Sequence, residues 1–382
     1  MQPSRQLKGN ILTPHGFIYG VIDFADGRIT SLNGEAVATE RVGDAALPII
    51  LPGFIDLHVH GGGGHDIMQG GDAAANIARL HAQHGTTALL ATTMTAPTSD
   101  LEIAFAGLTA LCATDRASSP NGARILGVHL EGPYINAGKL GAQPDYARPL
   151  QMQELQQLNA LAPIRLITLA PEVEGNMAAI ASLCAAGFRV QLGHSLATYE
   201  QGVDAMARGA AGFTHLFNAM TGMHHRQPGL VGAALAHAEY AEIIPDMLHV
   251  HAGAMHVALR AIPRLFCVTD STAAAGMPDG EYRLGRHTVS KCMGGVRLAD
   301  GTLAGSTLTM DVALRNLVNE LGLDLQAASK RVSTYAADYL GLTDRGRLAT
   351  GTFADMVVLD RDLQLKDVYA EGVAIDRVGV RA

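Results

Sequence analysis

The chain has 382 residues, 48% of them hydrophobic, with a formal net charge of −8. That length allows one large domain plus a smaller one, and the composition supports a substantial core. It shows no Lys/Arg cluster of nucleic-acid type, no apolar run near ~18 residues and no secretory h-region, so a cytoplasmic protein without a membrane span is expected. Cys112, Cys184, Cys267 and Cys292 are scattered without a C-x-x-C pair. They read as free thiols, not a disulfide frame or a zinc knuckle.

Residues 1 to about 50 carry short strand signals at 9–12, 16–19, 20–24 and 28–32, with Asp26-Gly27 as a hairpin turn. Residues 351–360 and 368–374 are similar. One small sheet domain built from both chain ends is expected. Between them, short apolar runs at 53–60, 86–93, 124–129, 164–169, 189–193, 212–216, 242–250 and 265–269 alternate with helix-like stretches such as 71–84, 151–161 and 198–208. Eight βα units favour an α/β fold of the closed (β/α)8 TIM-barrel type. The alternative, an open doubly wound sheet, lacks its Gly-rich fingerprint after the first run. Residues 282–289 and 295–299 read as a hairpin inserted after the eighth strand, and helix resumes at 308–321 and 325–340.

Barrel strands gather reactive groups at their C-terminal ends. The first run, Leu51-Pro-Gly-Phe-Ile-Asp-Leu-His-Val-His60, ends in His58 and His60. Residues i and i+2 of a strand share a face, so one cation could hold both imidazoles. Run three places Glu131 just past its end; run five ends at His194, run six at His215 and run eight at Asp270. Two imidazoles and a carboxylate from Glu131, His194 and His215 are a usual set for a catalytic zinc or iron with a position left for water. Asp270 could take a proton from that water and pass it to a leaving nitrogen. His58 and His60 could hold a second ion with Glu131 bridging. Each residue alone has a plain structural reading; five strand ends that agree in type and place favour a metal-dependent hydrolase. Arg226, in the loop 220–229, and His249 or His251, after run seven, offer anion donors, although a loop Arg paired with a surface acid is the plainer alternative.

With these residues in view, the chain resembles the amidohydrolase superfamily and, within it, the N-acetylglucosamine-6-phosphate deacetylases. The resemblance runs nearly end to end, through Pro52-Gly-Phe-Ile-Asp-Leu-His-Val-His-Gly61, His129-Leu-Glu-Gly-Pro-Tyr134, Leu192-Gly-His-Ser195, His215-Leu-Phe-Asn-Ala-Met220, Arg226-Gln-Pro-Gly-Leu230, Val268-Thr-Asp270 and Leu303-Ala-Gly-Ser306. It implies a (β/α)8 barrel over residues 53–343 and a small β-sandwich from 1–52 with 344–382. It implies hydrolysis of the N-acetyl group of an amino-sugar 6-phosphate to acetate and the amine. The implied cofactor is a divalent metal ion (zinc, iron or manganese), one or two per subunit. Glu131, His194 and His215 are the implied main ligands, and Asp270 the proton shuttle. Ala142, Gln143, Asn218, Ala219, Arg226, His249, Leu303, Ala304 and Gly305 would meet sugar and phosphate. In relatives the phosphate Arg comes from the neighbouring subunit, which implies a homodimer with Arg226 reaching across.

Gln143 stands where many relatives have a His, and Met247 where they often have Gly, which is expected to narrow the sugar pocket. Met223-His-His-Arg226 with Ala275-Gly-Met-Pro-Asp-Gly280 is also similar to the sister enzymes acting on N-acetylgalactosamine 6-phosphate.

Overall fold

A computed structural model describes residues 5–42, 47–112 and 121–377. The described chain begins with a meander, Arg5–Thr13, Gly16–Ala25 and Arg28–Ala36, paired antiparallel, with a register shift between Asp23 and Phe24 in the second pair. The second connection is Asp26-Gly27, both with positive φ (49° and 80°). A type I′ turn demands that combination, and its twist matches that of the strands. The two signals expected at 16–19 and 20–24 form one strand. Gly20 does not turn the chain there. It lies where strands crowd together, and a Cβ on it would come within 2.0 Å of the Asn33 carbonyl oxygen.

Ile49–Pro52 joins the meander in parallel, and Met356–Leu359, Leu365–Ala370 and Val373–Ala374 extend the sheet to seven strands. The sheet curls until Ile29 exchanges backbone hydrogen bonds with Gly351 and Thr352. Ile11, Ile22, Phe24, Ile29, Ile50, Met356 and Val358 fill the space it encloses.

The barrel strands are Phe54–Val59, Thr86–Thr93, Arg124–Glu131, Ile164–Leu169, Arg189–Leu192, Gly212–Phe213, Tyr240–Ile243 and Arg264–Cys267. The first six form one parallel sheet and the last two a parallel pair. Hydrogen bonds close the ring: Leu216 N–H donates to the Glu242 carbonyl at 2.9 Å, and Asp270 N–H to the His58 carbonyl at 2.9 Å. A helix follows each strand, from Ala73–Gln83 after the first to Met310–Asn319 after the eighth. Strands such as Thr86–Thr93 are buried at every position, as both-face burial requires. Among the described residues, no helix is long and apolar enough to cross a membrane.

Three expected boundaries are corrected. The seventh strand ends at Ile243, not at 250. Pro245 and a left-handed Met247 (φ 64°) take the chain out of the sheet, and the Asp246 carboxylate accepts the N–H groups of Leu248 and His249. The sixth stops at Phe213 because His215 turns to φ 29°. The stretch 282–289 is not one strand: it divides at Gly285 into Gly280–Leu284 and His287–Cys292, which with Gly295–Arg297 make a three-stranded sheet.

Candidate metal centre

His58 and His60 leave the first strand on one face, with their Nε2 atoms 3.1 Å apart. Glu131 ends the third strand opposite them. Its Oε2 lies 3.1 Å from His60 Nε2, and its Oε1 lies 3.1 Å from His194 Nε2 and 3.0 Å from His215 Nε2. The His194 and His215 Nε2 atoms are 3.1 Å apart. Asp270 Oδ1 stands 3.4 Å from His58 Nε2 and 3.3 Å from His60 Nε2. All six side chains are buried. Two overlapping groups could each hold a cation: His58, His60 and Glu131, and Glu131, His194 and His215.

Hydrogen bonds on the far side of the rings decide which nitrogen faces inward. His194 Nδ1 lies 2.8 Å from the Lys139 carbonyl oxygen, which can only accept, so Nδ1 carries the proton and Nε2 is bare. His58 Nδ1 likewise donates to Glu242 Oε2 at 3.0 Å. The bare nitrogens of His58 and His194 therefore meet Glu131 and the neighbouring imidazoles at about 3 Å, a spacing that a shared cation would satisfy. Donors about 2.0–2.1 Å from a tetrahedral ion stand roughly 3.3 Å apart, which is the spacing present. The His60 and His215 Nδ1 atoms are buried with no hydrogen-bond partner.

The electrostatics agree. Burial alone would raise the Glu131 carboxyl, but His58, His194 and His215 hold it well below the usual range. Burial opposes ionisation of Asp270 too, and the imidazoles of His58, His60 and His215 still bring it down to about 2. Burial presses His60 downward, and Asp270 and Glu131 reverse this, lifting it to about 9. The lowered carboxyls report the imidazoles around them, and the raised His60 reports the two carboxylates it faces.

A third group, His58, His129 and Glu242, is also close enough to share an ion. It does not fit one. His129 Nδ1 donates to the Leu57 carbonyl at 3.1 Å, and its Nε2 accepts from the Thr168 hydroxyl at 2.7 Å, so no lone pair is left.

The strand ends that deliver these groups are strained. His194, His215, Phe217, Ala219 and Asp270 have φ of 48°, 29°, 81°, 51° and 50°. Non-glycine residues adopt such values at a cost of order 1–3 kcal/mol each, and they cluster at functional sites.

His60, Glu131, His194, His215 and Asp270 open into a cleft of about 390 Å³, within the range of small-molecule sites. Ala142, Gln143, Asn218, Ala219, His249, Leu303 and Gly305 also line it. His58 is wholly buried behind His60. Ala304 packs with Met94, Leu284 and Val296 instead of lining the cleft. Arg226 lies outside it, exposed in its loop, 2.7 Å from His225 Nε2. Met247 does not narrow the cleft; it packs against the barrel core. Its left-handed φ explains why Gly suits that position.

Gln143 is held at both ends of its amide. Its Oε1 accepts from Thr95 N–H at 2.6 Å, and its Nε2 donates to Glu131 Oε2 at 2.5 Å. His249 Nδ1 is 2.6 Å from Asp246 Oδ2. Burial would lower this imidazole, but Asp246 raises it. Met94, Lys139, Leu140, Leu284 and Thr302 line the cleft unannounced by any motif. Glu242 belongs to no motif and opens the apolar run 242–250. An acid within Ala241-Glu-Ile-Ile244 was the available signal, since a buried charge needs a partner.

The sequence pattern of the amidohydrolase family matches residues 49–376. An N-acetylgalactosamine-6-phosphate deacetylase of Escherichia coli O157:H7 is 40% identical over 371 residues, 95% of this chain and 96% of that one. An N-acetylglucosamine-6-phosphate deacetylase of Lysinibacillus sphaericus is 40% identical over 330 residues, 85% of this chain and 84% of that one. Among solved structures, the N-acetyl-D-glucosamine-6-phosphate deacetylase of Mycobacterium smegmatis, in complex with N-acetyl-D-glucosamine-6-phosphate, is similar with a TM-score of 0.88. It is 33% identical, over 98% of this chain and 100% of that one.

Proposed function

The chain belongs to the amidohydrolase family, and on that premise we propose that it hydrolyses the acetamide of N-acetylglucosamine 6-phosphate to acetate and glucosamine 6-phosphate. The observation that carries this reading is Glu131 facing two pairs of imidazole nitrogens, beside Asp270, in a cleft of sugar size.

Glu131, His194 and His215, with His58 and His60, would hold one or two divalent cations per subunit (zinc, iron or manganese), which would supply Lewis acidity that lowers the pKa of water toward ~7. The rest falls to the chain. Asp270, ionised at neutral pH, accepts a proton from the attacking water at Oδ1 and delivers it to the leaving nitrogen as the C–N bond breaks. Gln143, fixed by Thr95, steadies Glu131, where relatives present a histidine. Ala142, Asn218, Ala219, His249 and the segment 303–305 are the sugar contacts. Arg226, exposed in its own chain, suits a homodimer in which its planar fork binds phosphate at the neighbouring site. The free cysteines suit a reducing, cytoplasmic setting.

The galacto epimer is the second reading, favoured by the extent of the similarity to the Escherichia coli enzyme. Acetate release from both epimeric 6-phosphates and from unphosphorylated N-acetylglucosamine tests the proposal. The expected result is preference for the gluco 6-phosphate, abolished by chelation and restored by zinc, iron or manganese. Equal turnover of the unphosphorylated sugar removes the role given to Arg226. Activity that survives metal removal ends the hydrolase mechanism.

A further inference from the structure

The geometry points to Glu242, on the seventh barrel strand, as a positioning residue that makes His58 a metal ligand while fixing His215 in the other half of the centre. This rests on the reading of the two groups given above and adds the residue on which the His58 half depends.

Glu242 is wholly buried and contributes no atom to the cleft. Its Oε2 accepts twice, from His58 Nδ1 at 3.0 Å and from the His215 backbone N–H at 3.2 Å. A carboxylate has no proton to give, so the first contact puts the imidazole proton on Nδ1. His58 Nε2 is then bare, and it is this atom that stands 3.1 Å from His60 Nε2 and 3.4 Å from Glu131 Oε1. A hydrogen-bonded carboxylate behind a ligating imidazole also raises its basicity toward a metal.

The second contact acts on the other group. His215 has φ 29°, and its turn is held by Glu242 through side chain and backbone together, because the Glu242 carbonyl also accepts Leu216 N–H at 2.9 Å. One carboxylate thus holds a member of each ligand group from a strand that supplies no ligand of its own.

Charge strengthens the case. Glu242 Oε1 is buried without a hydrogen-bond partner, and among the described residues no Lys or Arg pairs with this carboxylate. A buried carboxylate so sparsely compensated is costly unless positive charge lies close by. Positive charge on the far side of the His58 ring is the remaining source of compensation, and that is where His58, His60 and Glu131 could share an ion.

The test uses the full-length wild-type chain, Glu242→Gln and Glu131→Gln. Each is stripped by chelation and titrated with zinc, and ions per chain are measured by elemental analysis beside kcat and KM. Glu242→Gln keeps the shape and can still accept from His58, so it removes mainly charge. The expected result is two ions in the wild type, a second ion held about 10–100-fold more weakly in Glu242→Gln, and a fall in kcat with KM little changed. If Glu242→Gln does not accumulate folded, Glu242→Asp, which keeps the charge but shortens the reach, is expected to show the same weakened second ion. A wild-type chain that binds one ion, or a Glu242 variant with both ions at wild-type affinity, overturns the inference. Full metal content in Glu131→Gln overturns instead the reading of the centre on which it stands.

Discussion

In the terminal sheet, Asp355 and Glu371 are buried against guanidinium groups: Arg345 pairs with both, and Arg124 adds a second partner to Glu371 at 3.1 Å. At the barrel mouth, Glu131, Asp270 and Glu242 are buried, and among the described residues their partners are imidazoles, a carboxamide and backbone N–H groups. The sheet neutralises its acids with the chain's own cations. The mouth meets its acids with imidazoles, no Lys or Arg among the described residues pairing with them, and several of its strand ends have positive φ. Acids met by imidazoles at the mouth form groups that could hold a metal ion, whereas acids met by guanidinium in the sheet serve cohesion.

Substitutions that touch one region should leave the other unmoved. The largest effect is expected from Asp270→Asn, which removes the proton acceptor but keeps the shape. Turnover should drop by roughly 10²–10⁴-fold, with metal content unchanged by elemental analysis; undiminished kcat would leave Asp270 without the role proposed. Next comes Arg345→Met in the terminal sheet. It strips Asp355 and Glu371 of a shared guanidinium partner, which should cost about 3 kcal/mol in denaturant unfolding. Metal content should stay at the wild-type level, and loss of metal in this variant would dissolve the distinction between the regions.

The smallest effect is a pH dependence. Burial would raise the Glu371 carboxyl, yet Arg124 and Arg345 bring it from 4.5 down to about 2. The folded pKa lies below the unfolded one, so the unfolded chain takes up this proton first as pH falls. The stability contributed is present above about pH 4.5 and is lost toward pH 2. Burial pushes Asp355 up against the pull of Arg345, so the acid sensitivity rests on Glu371. Unfolding free energies measured across that window should show the loss in the wild type and a smaller one in Arg345→Met.

The βα rhythm and the hairpin at Asp26-Gly27 were legible because they depend on local periods and turn chemistry. The pairing of His58 with His60 was legible for the same reason: two residues along a strand restores the face. What local pattern could not carry was any contact made across the ring. The seventh strand stops early because Met247 turns left-handed and Asp246 captures the chain, and an apolar run such as 242–250 conceals both. Ala304 matched a family motif and Met247 departed from one, yet both pack away from the cleft, since a motif says which residues are near a site and not which way each side chain points.

Residue order by itself determined that eight strand-like runs would alternate with helices and that acids and imidazoles would stand at their ends, because periodicity and motif spacing are written along one dimension. Tertiary structure alone decided that Glu131 faces both histidine pairs, that Gln143 is tied to Thr95, and that Glu242 stands behind His58 across 184 residues of chain. Those contacts arise only when the ring closes, where burial removes water as a competing partner and each buried charge must be met by whatever the far strand presents.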